Sequence, residues 1–166
     1  LNDIKSPTGN YQIGTETFYW VDSSRAEWFS DDLEDKRRLM VQAWYPAIAK
    51  NNKKYSWVDY SNQRVESLAE SFDVPKFIVR AVDRVGTDTY VDTTPIQEEK
   101  QFPVIIFSHG FEGFRFQNTT QVQELVSHGY IVFALDHTYD ATLTIFPDGT
   151  KVKKAEKYCY KCEEEK

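Results

Sequence analysis

The sequence predicts an α/β fold in which an antiparallel pair of strands is followed by one parallel β-α-β unit. In the first half, two segments rich in aromatic and β-branched residues are joined by a polar connection, which is typical of an antiparallel pair at a sheet edge. In the second half, two continuous apolar runs flank a segment of helical periodicity. This pattern is typical of buried parallel strands and the helix that connects them.

The composition is that of one globular domain. The 166 residues are 40% hydrophobic and 15% aromatic, and they carry a formal net charge of −6. An acidic chain is a poor partner for nucleic acid, and no apolar run approaches the ~20 residues that a membrane span needs. No signal peptide is visible, although the chain starts at Leu1 rather than Met. The compartment is therefore open, with secretion slightly favoured.

The elements of the first half follow from local patterns. Strands are predicted over residues 15–22 and 38–45, and Pro46 is expected to end the second. A helix is predicted over residues 62–72, and Pro75 suits the first turn of a second short helix. The apolar side of that second helix carries Phe77, Ile78, Ala81 and Val82. We expect both helices to pack on the sheet, the alternative being a cover over a site entrance or a lipid-facing surface.

The β-α-β unit occupies the second half, after a loop predicted over residues 86–101. Its strands are predicted over 104–107 and 130–135, each buried on both faces. Between them, Asn118 is placed to cap a helix that Gly129 ends. The apolar face of this helix is formed by Val122, Leu125 and Val126.

The chain is expected to end in a charged segment. A short strand over residues 141–146 completes the predicted domain of residues 1–150, and residues 151–166 form a charged loop or tail. Cys159 and Cys162 in this tail form a C-x-x-C motif without the further ligands of a zinc site and outside a redox context. They are expected to be loop thiols, able to form a disulfide if the protein is secreted. No metal or cofactor is predicted.

The turn after the first parallel strand is the candidate site. In open α/β sheets, ligands bind at the carboxyl ends of parallel strands, where His109, Gly110 and Phe111 stand. Glycine at position 110 would let the backbone approach a substrate without a Cβ in the way. The backbone N–H of Phe111 could then stabilise the oxyanion of a tetrahedral intermediate, with His109 shaping the turn. An ordinary strand-to-loop turn with a structural histidine is the alternative.

Four stretches of the chain resemble one known family in order and spacing. They are GNYQIGTETFYWVD, RRLMVQAWYPA, FPVIIFSHGFEGFR and LVSHGYIVFALDH. The third is similar to the motif F-P-hydrophobic-S-H-G-L-G of the plasma-type platelet-activating factor acetylhydrolases, and the resemblance covers most of residues 8–150. It implies an α/β-hydrolase fold with a Ser-Asp-His triad and no metal. It also implies that Phe111 takes the first oxyanion-hole position, where leucine is usual, and that its ring could reshape the acyl pocket.

The chain lacks the nucleophile turn Gly-x-Ser-x-Gly of that fold. We therefore expect an incomplete α/β-hydrolase, inactive alone and completed by a C-terminal half in the same or a separate chain. A triad made of Ser108, Asp136 and His137 is disfavoured, because neighbouring strand residues point to opposite faces and Ser108 is not on a nucleophile elbow. Asp136, His137 and Asp140 are instead expected to shape the mouth of the site or to satisfy loop hydrogen bonds, and the alternative for His137 is that it lines the substrate pocket.

The predicted function of the complete protein is the hydrolysis of short acyl esters, including those of phospholipids. This chain would supply Phe111 to that reaction. Two alternatives remain open: a non-catalytic α/β-hydrolase-like binding module or partner subunit, and a polyester- or dienelactone-type hydrolase of the same fold.

Overall fold

The computed structural model describes residues 4–98 and 101–155, where one mixed sheet holds most of the strands. Its main strands are β1 (Gln12–Ala26), β2 (Lys36–Ile48), β5 (Val104–Ser108) and β6 (Ile131–Asp136). They lie in the order β1-β2-β6-β5, in which only β5 and β6 are parallel neighbours. The two-residue strands β3 (Thr89–Tyr90) and β4 (Thr94–Pro95) pair with β1 and β2. A separate hairpin is formed by β7 (Leu143–Ile145) and β8 (Lys151–Lys153).

The helices of the described ranges are α1 (Ser61–Ser71), α2 (Lys76–Val79), continued by a 3₁₀ turn (Arg80–Arg84), and α3 (Thr119–Ser127). α3 connects β5 to β6 and packs against β1, β2 and β6. The predicted class, antiparallel strands followed by one parallel β-α-β unit, is therefore confirmed. No helix in this part of the chain has the length and apolar character that crossing a membrane requires.

Both N-terminal strands are longer than predicted, and the prediction that Pro46 ends the second is wrong. The carbonyl of Pro46 accepts the Ile96 N–H at 2.9 Å and therefore points away from β1. Because the nitrogen and the carbonyl of one strand residue point to the same side, the proline nitrogen also faces away from β1. On that side β6 pairs with β2 only as far as Trp44. The N–H that proline lacks is therefore not needed by the ladder, and the strand continues to Ile48.

The predicted loop over residues 86–101 also needs correction, because it contains β3 and β4. Each is only two residues long and too short to show a period-2 pattern. The first residues of the expected tail, 151–153, form β8, so the boundary expected at residue 150 falls inside a hairpin. Cys159 and Cys162 lie outside the described residues.

The helices match their predicted positions better than their predicted faces. Phe77 and Ile78 are 75% and 52% exposed, so these two residues of the apolar side expected for the second helix do not face the core. The reason is that α2 tightens into a 3₁₀ turn after four residues, which breaks the 3.6-residue periodicity. Asn118 is at the N-cap of α3, but its side chain makes no capping hydrogen bond. Gly129 ends this helix as predicted, with a φ of 90°.

The core lies between the sheet and α3. Trp44, Val132 and Ala134 on one face of the sheet pack against the apolar side of the helix. The same cluster also contains Ile13, Val58, Phe116, Val122 and Val126, and all eight residues are less than 4% exposed. This packing fixes where the parallel strands end, and with them the turn that leaves β5.

The opposite face of β5 and its outer edge are uncovered in the described residues. Val104 and Ile106 are 57% and 74% exposed, whereas Ile105 and Phe107, between and after them, pack against the core. The prediction that both parallel strands are buried on two faces is therefore wrong for β5. An apolar run shows that a strand is buried in the finished fold, but not which segment covers each face.

We predict that the chain alone self-associates through the edge of β5. Ile106→Lys should shift it towards the monomer, because a charged side chain on an exposed edge opposes strand pairing. Leu33→Lys is the matched control, since Leu33 is 89% exposed but lies outside the strands. Light scattering after size-exclusion chromatography, at several concentrations, measures the effect. Equal shifts in both variants would contradict a specific role for the edge.

Candidate active site

A tight turn over residues 110–113 follows the carboxyl end of β5. The Gly113 N–H donates a hydrogen bond to the Gly110 carbonyl at 2.8 Å. Glu112 has a φ of 57°, while Phe111 is not among the residues of positive φ, which is the pattern of a type II turn. The predicted oxyanion-hole residue, Phe111, therefore occupies the second position of this turn, and its side chain is 61% exposed.

The peptide between Gly110 and Phe111 is held in one orientation. Besides the Gly113 N–H, the Gly110 carbonyl contacts Nδ1 of His109 at 2.7 Å. No peptide bond in the described chain is cis, so this carbonyl and the following N–H point in opposite directions. The two hydrogen bonds therefore direct the Phe111 N–H away from His109 and Gly113.

The hydrogen bonds of His109 determine its protonation. Its side chain is buried, and Nε2 accepts the backbone N–H of His137 at 3.0 Å. A backbone N–H can only donate and a carbonyl can only accept, so the proton of the neutral ring lies on Nδ1 and is donated to Gly110. His109 thus links the turn after β5 to the end of β6, and its role in the geometry of a catalytic turn stays a prediction.

The turn requires its second glycine rather than its first. A Cβ on Gly113 would lie 2.2 Å from Oε1 of Gln117 and 2.8 Å from the Gly110 carbonyl oxygen, which no side chain tolerates. A Cβ on Gly110 would meet no atom of the described chain within 4 Å, and its φ is not positive. The expected reason for glycine at 110, close approach of a substrate, stays a prediction. The requirement at 113 was missed by the sequence analysis.

Thr142 anchors the far side of the turn, and no local sequence pattern indicates this role. Its hydroxyl donates to the carbonyl of Glu112, and its N–H donates to the carbonyl of Gly113 at 3.2 Å. The side chain of Glu112 also pairs with Lys154. These contacts hold Glu112, which is not a glycine, in the left-handed region of backbone conformation. Such a conformation persists only where the surroundings enforce it.

The structure brings Ser108 and His137 together but places Asp136 elsewhere. Ser108 Oγ lies 2.7 Å from Nε2 of His137, at the carboxyl ends of β5 and β6. Asp136 is fully buried and turns to the opposite side, where its carboxylate pairs with Arg115. As the sequence analysis expected, the adjacent Asp136 does not orient the His137 ring, and the three side chains form no triad.

The surroundings of His137 lower the pKa of its imidazole below the usual 6.5. Burial is the largest cause, the adjacent His109 ring lowers this pKa further, and Asp140 partly opposes both. In the neutral ring, Nε2 can accept the hydroxyl proton of Ser108. His137 is half-buried, so its predicted role in lining a pocket stays a prediction.

Three buried charged side chains and a fourth that is largely buried lie behind the turn, and no local sequence pattern predicts them as a group. Arg115 and Arg64 alternate with Asp136 and Asp59. Burial alone would raise the pKa of Asp59, but the two guanidinium groups outweigh it and lower that pKa. Within residues 4–98 and 101–155, no cluster of three or more His, Cys, Asp or Glu side chains is placed to hold a metal ion.

We predict that His137 makes the folded state less stable below neutral pH. Its lowered pKa means that the unfolded chain takes up a proton near pH 6.5 while the folded chain does not. The stability that this residue contributes is therefore complete above pH 6.5 and is lost as the pH falls towards the lower pKa of the folded state. Urea-unfolding midpoints, measured at several pH values between 7 and 5, give this loss of stability.

His137→Gln should reduce the pH dependence of the unfolding midpoint, by a modest amount because the ring is only half-buried. Ser108→Ala is the comparison variant and should keep the wild-type slope, since burial and His109 cause the shift. A slope unchanged by His137→Gln would show that this residue does not contribute.

Comparisons with known proteins identify relatives of this chain. The family model of platelet-activating factor acetylhydrolase, isoform II, matches residues 2–166. A platelet-activating factor acetylhydrolase from Cavia porcellus is 26% identical over 100 residues, which cover 58% of this chain and 23% of that protein. A solved structure, the ferulic acid esterase from Streptomyces cinnamoneus, matches with a TM-score of 0.75 and 27% identity, over 92% of this chain and 41% of the esterase.

The chain thus spans less than half the length of either relative. The esterase match is consistent with the predicted α/β-hydrolase fold in incomplete form. Since the family match extends over almost the whole sequence, the chain belongs to the family of platelet-activating factor acetylhydrolase, isoform II.

Proposed function

We propose that the complete protein is a serine carboxylic ester hydrolase and that this chain supplies one donor of its oxyanion hole, the backbone N–H of Phe111. The observation that carries the proposal is the fixed peptide between Gly110 and Phe111. It lies at the carboxyl end of a parallel strand, where ligands bind in open α/β sheets. Membership of an ester-hydrolase family supports the same reaction class.

In this reaction a serine hydroxyl attacks the ester carbonyl, and the carbonyl oxygen gains negative charge as the carbon becomes tetrahedral. A donor already oriented towards that oxygen stabilises the charge without having to reorganise during the reaction. His109 and Gly113 prepare the donor by holding the other end of the same peptide. Loss of one such donor typically costs about 10²–10³-fold in rate.

We propose further that the nucleophile and the rest of a Ser-Asp-His triad belong to a C-terminal half of the protein that pairs with β5. The exposed side chains of Val104 and Ile106 support this, because an unpaired apolar strand edge needs a partner. The relatives support it too, since both extend far beyond the matched region. The new strand would bring its own carboxyl end beside Ser108 and the turn.

The substrate class we propose is a carboxylic ester with a short acyl group, on a phospholipid or on a simpler alcohol. The two relatives are a platelet-activating factor acetylhydrolase and a ferulic acid esterase. The exposed ring of Phe111 stands beside the proposed donor, where it would contact the acyl part of the ester. A large ring at this point favours a small acyl group on steric grounds.

Removal of the Phe111 N–H is the direct test in the full-length protein. Phe111→Pro deletes the donor, yet proline fits the second position of a type II turn. We expect kcat for a p-nitrophenyl acyl ester to fall by about 10²–10³-fold. Phe111→Leu is the matched control, because it keeps the N–H and changes only the ring. Equal activity of the proline and leucine variants would contradict the proposal.

Labelling with a fluorophosphonate tests where the nucleophile lies. We expect the full-length protein to be labelled on one serine beyond residue 166. Ser108→Ala should be labelled as well as the wild type, since Ser108 is not on a nucleophile elbow. Loss of labelling in Ser108→Ala would assign the nucleophile to this chain. A full-length protein that hydrolyses no ester and does not react with the fluorophosphonate would favour the alternative, a non-catalytic binding module.

A further inference from the structure

The four charged side chains behind the turn are arranged around its backbone. Asp136 accepts the Arg115 backbone N–H on Oδ1 at 2.7 Å, and its Oδ2 accepts from the guanidinium of the same residue. Asp59 bridges the two arginines, with Oδ1 2.5 Å from Nε of Arg64 and Oδ2 paired with Arg115. Arg64 also donates to the carbonyl of Leu143 at 2.6 Å.

This cluster joins several of the segments that surround the turn. Asp59 precedes α1, Arg64 lies in α1, Arg115 follows the turn, and Asp136 ends β6. The cluster also reaches the carbonyl of Leu143, the first residue of β7. Leu143 follows Thr142, which anchors the turn from the other side. Within the cluster, only Asp136 binds the backbone of the segment that follows the turn, through the Arg115 N–H.

Stability alone does not account for such a cluster. Removing charges from water is costly, and buried ion pairs can often be replaced by apolar side chains without loss of stability. Nε of Arg115 moreover has no hydrogen-bond partner in the described part of the chain, so the cluster is not even fully satisfied. What the cluster provides is a fixed direction for Arg115, whose backbone and side chain are held by one carboxylate.

We infer that Asp136 is a positioning residue for the oxyanion hole: it fixes the backbone at Arg115 and thereby holds Phe111 at the carboxyl edge of the sheet. The inference rests on the proposed function, since it assigns Asp136 a part in that reaction. Asp136 contacts no reacting atom in this account. It acts through the backbone between Phe111 and Arg115, where the Phe114 N–H also donates to the side chain of Gln117 at 3.3 Å.

The test compares two isosteric changes in the full-length protein. An asparagine has one acceptor and one donor group, so Asp136→Asn can satisfy only one of the two donors that Arg115 presents to it. Asp59→Asn removes the same charge from the same cluster and likewise loses one contact, but touches no backbone of the turn. Both should lower the melting temperature, and only the first should disturb the turn.

Two readouts separate positioning from mere stability. In Asp136→Asn, amide exchange of residues 111–116 should accelerate roughly tenfold, and kcat should fall by roughly tenfold while KM changes by less than about twofold. In Asp59→Asn, both quantities should stay within about threefold of the wild type. Equal local exchange and equal kcat in the two variants would overturn the inference.

A further variant covers the case in which Asp136→Asn does not fold. Asp136→Glu keeps the negative charge between the arginines but carries its carboxylate one methylene further from the backbone. Loss of kcat with a nearly unchanged melting temperature is expected, and wild-type kcat with wild-type exchange would overturn the inference. If the wild-type protein hydrolyses no ester, the proposed function fails, while the exchange comparison still decides whether Asp136 holds the turn.

Discussion

The proposed chemistry of this protein depends on one carbonyl group, that of Gly110. It accepts the Gly113 N–H and the Nδ1 proton of His109, and these two contacts set the direction of the Phe111 N–H on the other side of the same peptide. Glycine at position 110 leaves this peptide free to rotate, so the direction has to be imposed by neighbours. His109 can impose it only as the Nδ1-protonated tautomer, which the backbone of His137 enforces by donating to Nε2.

The fold supports this peptide from three directions. The parallel pairing of β5 and β6 places Ser108 and Asp136 at the same edge of the sheet, so that groups from one strand end reach the turn after the other. Thr142, next to β7, holds the carbonyls of the turn, and the buried charges around Arg115 hold the backbone that follows it. The outer side of β5 has no such support in the described residues, which agrees with a fold that continues beyond this strand.

Much of this arrangement could be predicted from local sequence. The apolar runs and the helical period between them specified the β-α-β unit, and its first strand end located Phe111.

The contacts that fix the turn could not be predicted in the same way. His109 binds a residue 28 positions further along the chain, and Arg115 pairs with Asp59, 56 positions before it. No spacing rule connects such positions before the topology is known, although charged residues beside apolar strands were a visible signal. The exposure of Ile106 was missed for a related reason, since an apolar residue does not reveal whether its cover lies in the same part of the chain.

The central claim is that the Phe111 N–H points at the developing oxyanion. The most direct measurement is a crystal structure of the full-length protein after reaction with a phosphonate ester, whose phosphonyl oxygen imitates that oxyanion. We expect this oxygen to lie about 2.7–3.1 Å from the nitrogen of Phe111, with the Gly110 carbonyl still hydrogen-bonded to His109. A Gly110 carbonyl rotated towards the phosphonate, or a phosphonyl oxygen bound by other donors, would contradict it.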